Sequence, residues 1–207
     1  MKDYLPRPMK ELADQLTRLP SIGPRQAIRL AFHLVQEGKN NLAHLSKAVN
    51  DLMAIKTCRQ CFFYHMNADG LCDICRDPSR NQKVIAIVEK ETDLLALENT
   101  RNYTGRYFLT GNFEQSGIMS EAQRLRLQSL KTHIEKNLDA KAEEIILALS
   151  PTRYGDFYAE IIKKELAPMT LKISRLATGL PRGAEIEFAD DETLGESLRG
   201  RSTKNGK

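Results

Sequence analysis

The sequence contains no tryptophan, and its histidines and cysteines number four each. No stretch approaches the ~18–20 apolar residues needed to span a bilayer, so no helical membrane span is expected. The N-terminus, Met1-Lys2-Asp3-Tyr4-Leu5-Pro6-Arg7-Pro8, has no apolar h-region, so no secretory signal is visible and the cytoplasm is the default location. In that reducing compartment four cysteines are expected as metal ligands or catalytic groups rather than disulfides. A large charge excess is missing too. The 31 Lys and Arg against 27 Asp and Glu leave +4 over 207 residues, which by itself names no partner. At 41% hydrophobic and 28% charged residues, the chain can bury a modest core, which argues against global disorder. Its length suits one or two domains.

The charge is unevenly placed. Residues 1–57 hold nine basic and five acidic residues, 58–82 balance at three each, 83–198 hold fifteen basic and nineteen acidic, and 199–207 hold four basic and none acidic. A basic N-terminal part suits a nucleic acid, although a solvated surface would look the same.

Periodicity divides the chain in a similar way. Leu12, Leu16 and Leu19, then Ala27, Leu30, Ala31, Leu34 and Val35, then Leu42, Leu45, Val49, Leu52 and Met53 follow helical spacing. Pro20–Pro24 and Gly38-Lys39-Asn40-Asn41 interrupt them as turns. Val84–Val88 and Ile145–Leu149 are unbroken apolar runs of the kind found in buried parallel strands. Arg106–Leu109, Leu171–Ile173 and Glu185–Phe188 look like further strands. Thr92–Glu98, Ser120–Glu135, Asp156–Leu166 and Asp191–Leu198 look like helices. Alternating strands and helices imply a parallel α/β sheet.

Cys58, Cys61, Cys72 and Cys75 follow C-x2-C-x10-C-x2-C and occupy 18 residues. Each C-x2-C forms a tight knuckle with two sulfurs facing one centre, and two knuckles supply a tetrahedron closed to water. That is a structural Zn2+ arrangement, one per chain. Four free thiols are the alternative. A redox C-x-x-C fits less well, since there are two such pairs and neither follows a strand. His65 lies in the intervening loop but is not needed as a ligand.

In Leu16–Leu30 two apolar helical faces flank a short turn. Ile22 can fill the gap between them. Gly23 has no Cβ, so a phosphate could approach the backbone. The second helix starts near Pro24, and its N-terminus offers free N–H groups and the positive dipole end to an anion. Arg25 and Arg29 share one helix face, with Lys10 and Arg18 near in sequence. Ser21, Gly23, Arg25 and Arg29 are therefore candidate DNA-phosphate contacts, with an ordinary helical hairpin as the alternative. The stretch resembles a helix-hairpin-helix motif, in which glycine usually precedes as well as follows the central apolar residue. Here Ser21 takes the first place, where an unusual backbone angle is expected.

Taken in order, the segments resemble the bacterial RecR family of recombination mediators over almost the whole chain. The residues that carry this are Leu19–Arg25 with Arg29–Leu34, Cys72–Arg80, Val88-Glu89 with Asp93–Glu98, Tyr103–Tyr107, Ile173–Pro181, and Glu187–Asp190 with Thr193-Leu194. The resemblance implies an α+β multi-module chain. It would comprise a helix-hairpin-helix module at 1–57, a four-cysteine zinc finger at 58–82, an α/β Toprim domain with a parallel sheet at 83–170, and a C-terminal oligomerisation segment with a basic tail at 171–207. It implies a homo-oligomer, dimer or ring tetramer, that clamps DNA near the nucleoid. Such a protein acts with RecO, and in some bacteria RecF, to load RecA on gapped single-stranded DNA.

Catalytic Toprim domains hold Mg2+ with a Glu after the first strand and an Asp-x-Asp after a later one. Glu89 occupies the first place, but Ser150 and Thr152 stand where the aspartates would be. RecR chains usually carry Asn-Pro-Thr and then Glu-Gly-Glu here, where this sequence has Ser150-Pro151-Thr152 and Tyr154-Gly155-Asp156. The loop Thr110–Ile118 is also shorter than the family's. Glu89 and Asp156 are thus candidates for a partner-binding or weakly metal-binding face, and Glu89 equally for a strand-end cap. The expected function is a non-enzymatic DNA-binding mediator. The alternatives are a Mg2+-dependent Toprim nuclease or topoisomerase-like enzyme, and an adaptor that holds partners without touching DNA.

Overall fold

Prolines in the first turn and small residues on the facing sides shape the opening helices. The computed structural model describes residues 4–114 and 116–201, and the chain divides after Ile55 into two units. The first holds α1 (Arg7–Leu16), α2 (Pro24–Gln36) and α3 (Gly38–Asp51). Pro8 and Pro24 sit where a missing N–H costs nothing. α1 packs on α2, and the fully buried side chains are Ala13, Ala27 and Ala31, small enough for close helix approach. The turn expected over residues 38–41 is corrected. The reversal is taken up at Gly38, with φ at +85°, and the next three residues are already helical, because a residue without Cβ adopts that angle without a clash. No residue of α3 is buried.

The second unit opens with β1 (Lys56–Thr57) and β2 (Tyr64–His65), an antiparallel pair, and continues through the short helix α4 (Asp73–Arg76). Then follow β3 (Asn81–Val88), α5 (Glu91–Asn99), β4 (Gly105–Leu109), α6 (Glu121–Asn137), β5 (Ala142–Ala148), α7 (Arg153–Leu166), β6 (Thr170–Arg175) and α8 (Asp191–Arg199). The four later strands form one sheet in the order β4-β3-β5-β6, with every pair parallel. Side chains alternate across it. Ile85, Ile87, Phe108, Ile145 and Leu147 meet Leu127, Leu130, Ile134 and Ile162 of α6 and α7. Ala86, Val88, Tyr107 and Leu109 pack with Leu94 of α5 on the other side. The Leu127-Leu130-Ile134 spacing puts three side chains on one face of α6, each contributing about 1.5–3 kcal/mol on burial.

Two segment boundaries shift. β1 pairs with β2 in the register Lys56↔His65 and Thr57↔Tyr64, so the cysteine segment begins before residue 58. β6 pairs with β5 from Ala142↔Thr170 to Leu147↔Arg175, so the sheet continues past residue 170. In both cases a backbone ladder crosses the division that composition suggests. The strand expected at Glu185–Phe188 is a 3-10 turn at Ile186–Phe188 with Ile186 and Phe188 exposed. Apolar residues alone do not make a strand where no neighbouring strand offers hydrogen bonds. Among the described residues no helix is long and apolar enough to cross a membrane.

Candidate nucleic-acid interface and metal centre

The hairpin between α1 and α2 is built from local bonds. Leu19 N donates to Leu16 O at 3.1 Å and Ile22 N to Leu19 O at 3.3 Å. Ser21 has φ +65°, the left-handed angle that favours glycine, which accounts for the glycine usual at that place. Gly23 is extended and forms the N-cap of α2, and a Cβ there would meet nothing within 4 Å. Neither backbone angle nor internal packing requires this glycine, so its bareness matters only toward the outside. α2 has no side-chain cap and no acid in its first turn, and the N–H groups of that turn point outward from the helix end. Arg25 and Arg29 are exposed and have no hydrogen-bond or ion-pair partner among the described residues. Arg18 is exposed and Lys10 half-buried.

The cysteines show the opposite character. Their four Sγ atoms lie within 4.8 Å of one another, and the residues are 0–6% exposed. Phe62 N donates to Cys58 O at 2.9 Å, and Arg76 N donates to Cys72 O at 2.9 Å. Each pair of sulfurs therefore rides on a turn, one at Cys58–Cys61 and one on α4. Phe63 N points at Cys61 Sγ at 3.4 Å, a donor that favours a thiolate. Hydrogen bonds from the other three thiols pull Cys58 down toward ionisation, while those same bonds push the Cys61 thiol up. So crowded a set suits one cation that replaces the shared protons. The sulfurs close on themselves and leave no open coordination position. His65 Nδ1 accepts the Asn67 N–H at 3.0 Å, and the histidine stands outside the sulfur set.

Glu89 and Asp156 both sit beyond strand ends of the large sheet, and each is engaged by the protein. Glu89 Oε1 accepts from Phe113 N at 3.0 Å. Asp156 forms an ion pair with Arg175 at the end of β6. Among the described residues, the four cysteines are the one group of three or more His, Cys, Asp and Glu side chains spaced to share an ion. Ser150 and Thr152 serve the backbone instead: Thr152 Oγ1 accepts from Gly155 N at 3.1 Å. The Ser150 carbonyl comes so close to Gly155 that a Cβ there would lie 2.0 Å away. A cleft of about 1170 Å3 over the ends of β5 and β6 is lined by Asp93, Arg153, Asp156, Arg175, Glu192 and Glu196, charges of both signs rather than a cluster of acids.

Sequence reasoning missed what joins the cysteine segment to the sheet. Arg106 on β4 donates to Ile74 O at 2.7 Å and Asp77 O at 3.3 Å. In return, Arg80 donates to Gly105 O at 3.1 Å and pairs with Glu98. Phe62, at φ +66°, packs against both sides of the core. Nothing in the pattern Cys61-Phe62-Phe63 signals a left-handed phenylalanine.

Residues 83–177 match the family model of the Toprim domain, and residues 9–53 match that of the RecR helix-hairpin-helix. The chain is 38% identical over 204 residues to the recombination protein RecR of Rippkaea orientalis, covering 96% of this chain and 98% of that one. It is 40% identical over 201 residues to the recombination protein RecR of a Synechococcus strain, covering 94% and 96%. With the recombination protein RecR of a Nocardioides strain it shares 36% over 194 residues, covering 93% and 95%.

Proposed function

The chain belongs to the RecR family of recombination proteins, and from that premise we propose that it is a non-catalytic mediator of recombinational DNA repair that grips the phosphate backbone. The observation that carries this reading is the hairpin. Its bare Gly23 and uncapped α2 N-terminus stand beside two unpartnered arginines, Arg25 and Arg29. A phosphate accepts from the first-turn N–H groups while the two guanidinium groups flank the strand, with Ser21 setting the turn. Such contacts carry no base information, so the protein recognises gapped or junction DNA by structure rather than sequence. With RecO, and RecF where present, it loads RecA on gapped single-stranded DNA in the cytoplasm, at the nucleoid.

A single hairpin makes few contacts, and assembly multiplies them through effective concentration. The face of α3 supports a homo-oligomer, a dimer or ring tetramer, since Leu42, Leu45 and Val49 are exposed. Cys58, Cys61, Cys72 and Cys75 hold one Zn2+, which supplies folding energy to a segment too small for a core of its own. Glu89 and Asp156 lie on the partner face and take no catalytic part.

The test is DNA retention as a function of salt. Affinity falls steeply between about 50 and 200 mM salt through counterion release. A flat response removes the phosphate reading. Reproducible Mg2+-dependent cleavage of plasmid or gapped DNA that disappears in Glu89→Gln would restore the enzyme alternative.

A further inference from the structure

The geometry points to a conformational role for the metal segment: it caps the free edge of β4, with Phe62 as the positioning residue, and so holds the start of the loop that leads to Phe113. This rests on the proposed metal, and every contact involved lies within the second unit.

β4 is an edge strand. Its last amides alternate in direction. Thr110 N donates inward to Val88 O at 3.0 Å, while Leu109 N donates outward to Cys61 O at 3.0 Å. The acceptor that closes the sheet edge is therefore the backbone of a cysteine ligand. The next residue, Phe62, is left-handed, a conformation that an aromatic residue keeps only where its surroundings over-determine it. That angle sends the ring onto the edge. It meets Phe108 edge-on at 5.6 Å and lies under the Arg126 guanidinium at 4.9 Å.

Arg126 extends the contact into the loop. It donates to Leu109 O at 3.4 Å, and it lies close enough to Gly111 that a Cβ there would be 3.2 Å from the guanidinium nitrogen. Farther on, the loop is held by other groups. Gln123 Nε2 donates to Asn112 O at 2.9 Å, Glu89 accepts from Phe113 N, and Phe113 stacks on Tyr158 with ring centroids 4.1 Å apart. The knuckle thus controls Leu109–Gly111, and α6 and α7 control the remainder. Without the cation, four crowded thiols no longer hold the Cys58–Cys61 turn, and the Cys61 carbonyl and the Phe62 ring leave together. Metal occupancy then sets the order of a loop beside Glu89.

Amide hydrogen exchange of the full chain tests this, with metal content measured on the same samples. On chelation the Leu109 amide is expected to exchange at least tenfold faster while Thr110, bonded within the sheet, stays protected. Phe62→Ala, which keeps all four cysteines, should retain the metal and still free Leu109, with Phe62→Leu falling between. Metal bound in the wild type with Leu109 unmoved by chelation and by Phe62→Ala overturns this inference alone. Purified protein without metal overturns it together with the zinc reading. Leu109 and Thr110 rising together on chelation also overturns it, because the metal would then hold the whole sheet rather than its edge.

Discussion

The hairpin and the cysteine cluster treat their polar groups in opposite ways. At the hairpin, Arg25 and Arg29 face solvent without partners and the start of α2 has neither a side-chain cap nor an acid. At the knuckles, every sulfur is buried and turned toward the other three. A folded chain rarely leaves buried donors and acceptors unsatisfied, and here it closes the set that builds structure and leaves open the set that meets a ligand. Glu89 and Asp156 fall on the closed side of that division. One holds the Phe113 amide and the other pairs with Arg175, which is how former metal acids behave once they serve packing.

The largest expected effect breaks the closed site. Cys58→Ser should lose the metal and unfold the second unit, because structural zinc contributes roughly 10–16 kcal/mol of binding free energy to folding, more than the margin of most domains. Metal content and thermal denaturation measure this together, and a fully stable, metal-free variant would contradict it.

The second prediction breaks the open site. Arg25→Ala with Arg29→Ala should weaken DNA binding and lower the salt slope by roughly two contacts' worth, while stability changes by under about 0.5 kcal/mol per exposed site. Fluorescence anisotropy across a salt series gives the slope. DNA retention left intact, with partner complexes also intact, would favour the adaptor reading.

The third sharpens the comparison within the hairpin. Ser21→Gly should raise the stability of the first unit by about 1 kcal/mol, since it removes a side chain from a left-handed position, and DNA affinity should hold. A lower melting temperature would show that the Ser21 side chain contributes something beyond its backbone angle.

The smallest effect concerns pH in the second unit. Burial, aided by the Arg106 charge, holds His133 below its ordinary 6.5. A folded pKa below the unfolded one means that this contribution is in place above 6.5 and is lost as pH falls through the folded value. Unfolding followed from neutral toward mildly acid pH should therefore show a shallow loss of stability that His133→Gln flattens. An unchanged slope in that variant would move the effect to other groups.

Much of this was legible in the residues. The C-x2-C pairs imply a shared centre because two residues between cysteines leave room for one tight turn. The runs Val84–Val88 and Ile145–Leu149 imply central parallel strands because both their faces are apolar, and β3 and β5 are the two middle strands. Other features lay out of reach. Glu185–Phe188 has strand-like residues but no neighbour to pair with, and neighbours are a tertiary fact. Phe62 gives no sign of its positive φ, because that angle is imposed by a cysteine ligand on one side and a sheet edge on the other.

By itself the sequence determined which groups could act: four thiols at ligand spacing, two arginines on one helix face, and a Toprim strand end short of acids. Those follow from local spacing and from side-chain chemistry, which the order of residues specifies directly. The tertiary structure decided which groups stay free. It paired Asp156 with Arg175, turned Glu89 to the Phe113 amide and set the Cys61 carbonyl on the edge of β4, while Arg25 and Arg29 kept no partner. Whether a charge or a carbonyl is spent on the fold depends on residues distant in sequence, and only folding brings those together.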